Sequence, residues 1–407
     1  MANASKPDRK MVALTAARAR ILPQQQPNGE RVVAKPVPWA NPRLMLLGIF
    51  AYYSIMLFFA HWRLQWTPAV QPASAPPHLF SEERAAAHVA ALAGGLPDRQ
   101  ISMPQLQQAH DYIVRQGRLL QQLAEAREAR DVEVKVYRED NVSGSVAMDF
   151  TGLPFTNAYR GLTNVVITIT PLLGSSSSSN TPAEEKQDPQ GGDTRHGSTG
   201  DSSSSGSSSS NGGHAAAEDA SSTATAAAAA ATSSSPKDSG SRPQQPRGLL
   251  IAAHHDSAVA SPGASDDASM VGVMLEAARA LLSGPASLLP AAPLVLLFDG
   301  GEENLCQGAH GFMSSSPHAR NLGAFVNLEA MGGGGLPLLF QHTGAWTLAA
   351  WARGARHARG SRIAQDLFDT GVIPGDTDYR MFSARHFGSL PGLDIAFTRD
   401  SLAYHTR

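Results

Sequence analysis

The sequence predicts an α/β fold of three layers, with helices on both faces of a mostly parallel central sheet and one membrane-spanning helix ahead of it. Three observations carry this. After residue 247, continuous apolar runs alternate with helical segments, the pattern of strands covered on both faces. The runs end, one after another, close to histidine or carboxylate residues. Residues 44–60, LMLLGIFAYYSIMLFFA, carry no charge, and a run of this length is within range for crossing a bilayer.

Taken in order, residues 1–43 are rich in Ala, Pro, Gln and basic side chains and read as a disordered cytosolic tail. Lys6, Arg9, Lys10, Arg18, Arg20, Arg31, Lys35 and Arg43 face only Asp8 and Glu30 there. Residues 44–62 read as an uncleaved signal anchor, with Tyr52, Tyr53 and Trp62 near or beyond the middle. A buried core helix is the rival, but such a helix normally shows a polar stripe. A cleaved signal peptide would need a shorter leader and a clear A-x-A site. An organelle transit peptide is a further alternative, since the leader is rich in Ala and Arg and poor in acids. With the basic flank cytosolic, everything after Trp66 is expected in a lumen. The tripeptide Asn141-Val142-Ser143 is compatible with glycosylation at Asn141 in that compartment.

Residues 80–407 read as one folded domain. Residues 81–92 and 103–130 have helical spacing of apolar side chains, and VEVKVY (132–137) and NVVITIT (164–170) alternate as half-buried strands. Residues 174–247 are almost wholly Ser, Gly, Ala, Asp and Pro. Such a tract cannot bury enough apolar surface to offset chain entropy, so it reads as a disordered insertion within the domain. Strands follow at LLIAA, LVLLF (294–298), AFVNL (324–328), LLF (338–340) and LDIAF (393–397). Helices are expected over 267–282, near 308–314 and from Thr347.

With 407 residues, there is room for one large domain and additions. The net charge of −2 argues against a nucleic-acid-binding surface, which needs a concentrated basic patch. One cysteine, Cys306, excludes an internal disulfide and a cysteine-built zinc site, and reads as a small packing residue.

His254 follows LLIAA, Glu302 and Glu303 follow LVLLF, and Glu329 follows AFVNL. Ligand crevices in open α/β sheets lie outside the carboxyl ends of the strands. Imidazole nitrogen with carboxylate oxygen is zinc's usual ligand set when thiolates are absent. Two ions need a shared anion, for which Asp266 at a helix start is the candidate. His254 with Glu329 would then serve one ion, and Glu303 with His405 the other. Asp256 is placed to fix the His254 tautomer, and Glu302 to deprotonate the attacking water. His255 points to the opposite side of an extended segment and reads as structural. Singly, each residue has a commoner use: the Asp266-Asp267 pair as a helix cap, Glu302-Glu303 as a solvated loop. It is the joint pattern that carries chemistry.

The strings HHDSAVASPGASDDASMVGVMLE, LFDGGEENLCQGAHGF, AFVNLEAMGGGG, GVIPGDTDYRMF and LPGLDIAFTRDSLAYHT closely resemble metallopeptidase family 28, the di-zinc aminopeptidase and carboxypeptidase group. FSEERAAAHVAAL also resembles the region preceding that peptidase domain. The resemblance implies the zinc exopeptidase fold, two Zn2+ per chain, peptide or protein substrates, and an exopeptidase, most simply an aminopeptidase. Carried over residue by residue, it makes His254, Asp266, Glu303, Glu329 and His405 metal ligands, Glu302 the general base and Asp256 the orienting carboxylate. It also places Asp378 and Tyr379 where the family lines its substrate pocket. The strings are most similar to membrane-bound members of the endoplasmic reticulum, with the peptidase domain lumenal, and next to those of the fungal vacuolar membrane. That subgroup continues into several membrane helices whereas this chain stops at Arg407, so a truncated product is expected. The alternatives are an inactive interaction protein on the same fold and a glutaminyl-cyclase-like zinc enzyme. The oligomeric state is open.

Overall fold

The computed structural model describes residues 41–150, 153–172, 246–370, 375–383 and 387–406. The expected tail over 1–43 and the insertion over 174–247 lie almost entirely outside the described residues. The chain divides into two units, Met1–Ala69 and Val70–Arg407.

The first unit is built on α1 (Pro42–Gln65), whose start is capped by the Asn41 side chain accepting from the Arg43 amide at 3.0 Å. Twenty-four residues at about 1.5 Å each span roughly 36 Å, enough to cross a hydrocarbon core of about 30 Å. Its Leu, Ile and Phe side chains are exposed, and by length and composition the helix is able to cross a membrane.

The second unit holds a seven-stranded sheet in the order β1-β2-β4-β3-β5-β7-β6. The strands are β1 (Val132–Phe150), β2 (Leu153–Pro171), β3 (Gly248–His254), β4 (Leu294–Asp299), β5 (Leu322–Ala330), β6 (Leu338–Thr343) and β7 (Gly392–Phe397). The central four, β4, β3, β5 and β7, run parallel. The outer strands pair antiparallel. Strands β2 and β3, on either side of the long insertion, flank β4 in this one sheet.

Side chains alternate between the two faces of a strand. Leu296 and Phe298 of β4 therefore join α3 (Pro104–Glu125) and α4 (Ser269–Leu282) in one core, through Ile113, Leu120, Val271 and Met274. Val295 and Leu297 join the opposite core with Phe312 of α5 (Gln307–Ser315) and Phe382 of α8 (Tyr379–Phe382). This is the three-layer arrangement the apolar runs require. At the sheet edge, α6 (Ala345–Gly354) and α7 (Arg362–Asp369) lie against β6.

The helix expected over 103–130 ends at Glu125, and α7 and α8 add to the helices expected. The strands expected over 132–137 and 164–170 are the ends of one long hairpin, and irregular pairing around Asn141 explains why simple alternation stops there. Helix α4 begins at Ser269, because Asp266 and Asp267 have non-helical dihedrals in the turn before it.

Glu276 of α4 joins that helix to α2 (Glu82–Val89). Its buried carboxylate accepts from the Ser81 amide at 2.9 Å, Arg84 Nε at 3.0 Å and Arg279 Nε at 2.6 Å. Burial pushes its pKa up, but Arg279, the Ser81 amide and Arg84 outweigh burial and hold it below the ordinary value. A depressed folded pKa contributes stability above the unfolded value, about 4.3, and loses it as pH falls through the folded one. Glu276→Gln is therefore expected to lower the urea midpoint at neutral pH, with the difference from the parent closing below about pH 4. A gap that stays constant with pH would contradict this.

Candidate metal centre

The site sits at the carboxyl ends of the parallel strands. His254 is the last residue of β3, Glu302 and Glu303 lie in the turn after β4, and Glu329 is near the end of β5. Asp266 lies in the turn entering α4, and His405 follows the short helical turn after β7.

Two clusters share one residue. His254 Nε2 lies 2.9 Å from Asp266 Oδ1 and 3.5 Å from Glu329 Oε1. His405 Nε2 lies 2.7 Å from Asp266 Oδ2 and 3.5 Å from Glu303 Oε2. The two Asp266 oxygens thus face different histidines. Each cluster offers three ligand atoms within 4.8 Å of one another, close enough to converge on one ion. All five residues singled out as ligands come together here, although His405 is 139 positions from Asp266.

Asp256 does more than its position in the sequence announced. One oxygen lies 3.4 Å from His254 Nδ1. The two oxygens also accept from the Glu302 and Glu303 amides, each at 3.2 Å. One carboxylate therefore sets both the imidazole and the turn that carries the glutamates.

Arg99 was not legible in the sequence; it is a lone arginine between two helices. Its side chain is fully buried and reaches no carboxylate among the described residues. It donates to the carbonyls of His255 (2.7 Å), Leu92 (3.1 Å), Leu96 (3.3 Å), Pro262 (2.8 Å) and Gly263 (2.9 Å). It thereby ties down the segment between His254 and Asp266. Burial lowers its pKa to about 10, opposed by Asp256, Asp266, Asp267 and Glu303. Gly263 has φ +56°, and a Cβ there would come within 2.6 Å of Ser257 Cβ and 2.7 Å of the Asp266 carbonyl. Glycine is needed at that close approach.

Burial would lower the pKa of His254, but Glu329, Asp256 and Asp266 outweigh it and hold the imidazole raised. Burial pushes Asp266 up, yet the two histidines win and hold it low. Burial and neighbouring carboxylates raise Glu302, and raise Glu303 to about 8. Burial also raises Glu329 against the pull of His254. Carboxylates this crowded lack positive charge. Glu303 Oε1 and Glu329 Oε2 are buried without a donor among the described residues. Divalent cations are often the largest local charges in a site and invert its pKa logic, so the donor set fits metal ions.

His255 is buried edge-on to His110, with ring centroids 4.7 Å apart, and belongs to neither cluster. Cys306 is buried, and its thiol donates to Glu302 Oε1 at 3.6 Å, so it is more than packing. Tyr379 is buried against Phe325, and Asp378 is buried beside Glu302. Asn141 is exposed on β1.

In this three-layer α/β domain, two histidine–carboxylate clusters share one aspartate at the ends of parallel strands, an arrangement that could hold a pair of metal ions. Residues 209–407 match the model of peptidase family M28. The chain is 45% identical over 162 residues to endoplasmic reticulum metallopeptidase 1 of Rattus norvegicus, covering 39% of this chain and 18% of that protein. It is 35% identical over 159 residues to the vacuolar membrane protease of Schizosaccharomyces pombe, covering 39% of this chain and 18% of that protein. The solved structure of BSAP, a zinc aminopeptidase from Bacillus subtilis, overlays with a TM-score of 0.44 at 13% identity, covering 81% of this chain and 89% of that one. The chain spans 18% of the length of these two curated relatives.

Proposed function

We propose that this chain is a membrane-anchored zinc metallopeptidase that removes residues from the amino terminus of peptides through a two-zinc site. The observation that carries the reading is the division of Asp266, one oxygen toward His254 and the other toward His405. His254 and Glu329 would hold one ion, Glu303 and His405 the other, and Asp266 would bridge them. Zinc bound there would supply Lewis acidity toward the peptide carbonyl and lower the pKa of water.

Within that site the protein's own groups move the protons. Glu302 accepts a proton from the water whose oxygen attacks the carbonyl carbon, then delivers it to the nitrogen of the departing peptide as the C–N bond breaks. Asp256 holds the Glu302 amide and the His254 ring, so base and ligand keep a fixed relation. Arg99 holds the segment that joins His254 to Asp266. Asp378 and Tyr379 would border the substrate near Glu302.

The names of these relatives support a membrane of the endoplasmic reticulum, with the vacuolar membrane as the other branch. Helix α1 and its basic flank support a lumenal peptidase domain. Peptides and proteins are the substrate class.

Metal analysis with peptide turnover tests this reading. We expect about two zinc ions per folded chain, and cleavage of peptides with a free amino terminus but not of the same peptides acetylated there. A folded, zinc-reconstituted protein that retains no zinc would overturn the metal centre. Equal cleavage of acetylated peptides would overturn the aminopeptidase assignment.

A further inference from the structure

Beside the two clusters that share Asp266 lies a third group of potential ligands. Glu302, Cys306 and Asp378 each present a ligand atom, and all three atoms lie within 4.8 Å of one another. None of these residues is needed as a ligand in the two clusters around Asp266. Cys306 Sγ stands 3.6 Å from Glu302 Oε1. Metal bonds of about 2.3 Å to sulfur and 2.0 Å to oxygen at a tetrahedral angle put those ligands about 3.5 Å apart. The separation already suits a shared ion.

The second observation concerns Asp378 itself. It is 1% exposed, and neither carboxylate oxygen has a hydrogen-bond donor among the described residues. The neighbouring Asp299 is wholly buried with the same deficit. The two carboxyls can satisfy one another only when one carries a proton. Buried carboxylates without donors are costly, and a cation between Asp378, Glu302 and Cys306 would satisfy them. A thiolate among the ligands favours a soft ion.

We propose that Glu302, Cys306 and Asp378 form a third site, for a soft divalent cation such as excess Zn2+ or Cd2+, with Asp299 behind it. Binding forms one metal–sulfur bond and metal–oxygen bonds to the two carboxylates, and the thiol proton leaves to solvent. Glu302 is then engaged as a ligand and unable to take a proton from water. The site is therefore inhibitory, a consequence that rests on the role given to Glu302 above.

The chain has a single cysteine, so thiolate-to-metal charge-transfer absorption reports this site alone. The full-length protein loaded with two equivalents of zinc is titrated with Cd2+. We expect an ultraviolet charge-transfer band that saturates at one thiolate per chain and is absent in Cys306→Ser. In Asp378→Asn the band should need roughly tenfold more Cd2+. Excess Zn2+ should inhibit peptide turnover in the parent and lose that effect in Cys306→Ser. No band at saturating Cd2+, or a band of unchanged affinity in both Asp378→Asn and Asp299→Asn, overturns the proposal. A band in a protein that shows no turnover with two equivalents of zinc, before any Cd2+ is added, overturns the peptidase reading and leaves the third site standing.

Discussion

Replacing Glu302 by glutamine is expected to lower kcat for peptide hydrolysis by roughly 100- to 10,000-fold, the range for loss of a positioned general base. The zinc content should stay unchanged. Glutamine keeps the size and the backbone, so the Glu302 amide can still donate to Asp256. What it loses is the ability to accept a proton. Glu302 belongs to neither cluster around Asp266, so its loss leaves the proposed zinc ligands intact. Steady-state kinetics together with metal analysis check this. Turnover within tenfold of the parent, or loss of zinc in step with activity, would assign Glu302 a different role.

Arg99→Met is expected to produce the largest loss of stability, about 3–5 kcal/mol by denaturant unfolding. Methionine fills much of the volume but donates nothing, so the carbonyls of His255, Leu92, Leu96, Pro262 and Gly263 lose a donor in a buried setting. Each stranded buried acceptor costs on the order of 1–3 kcal/mol before relaxation and water entry. Because those carbonyls bracket the path from His254 to Asp266, zinc affinity should fall with stability. Arg99→Lys should lie between the two, since an ammonium offers three donors on one atom and cannot span the same acceptors. A loss below about 1 kcal/mol in Arg99→Met would show that the buried guanidinium is dispensable.

The catalytic and ligand candidates were legible because they obey local rules. His254, Glu302, Glu303 and Glu329 lie at or just beyond strand ends, and apolar runs reveal where strands end. Helix α4 was legible from the spacing of its apolar residues, but its start was not. The acids at 266 and 267 look like a helix cap, while the turn gives them non-helical dihedrals. The hairpin of β1 and β2 was only half legible, because alternation is interrupted at Asn141 while backbone pairing resumes beyond it.

By itself, the sequence determined the class of fold, the run able to cross a membrane and the five candidate ligands that the fold brings together around Asp266. Period, charge and composition are properties of near neighbours along a chain. The tertiary structure alone decided how Asp266 divides its oxygens, and how Asp256 comes to hold amides 46 and 47 residues away. It also decided that Arg99 meets the His255 carbonyl across 156 residues and that Asp378 comes to lie beside Glu302 and Cys306. Those contacts exist because helices packed on both faces of one sheet bring distant turns to a common edge. No pattern of neighbours along the chain encodes that meeting.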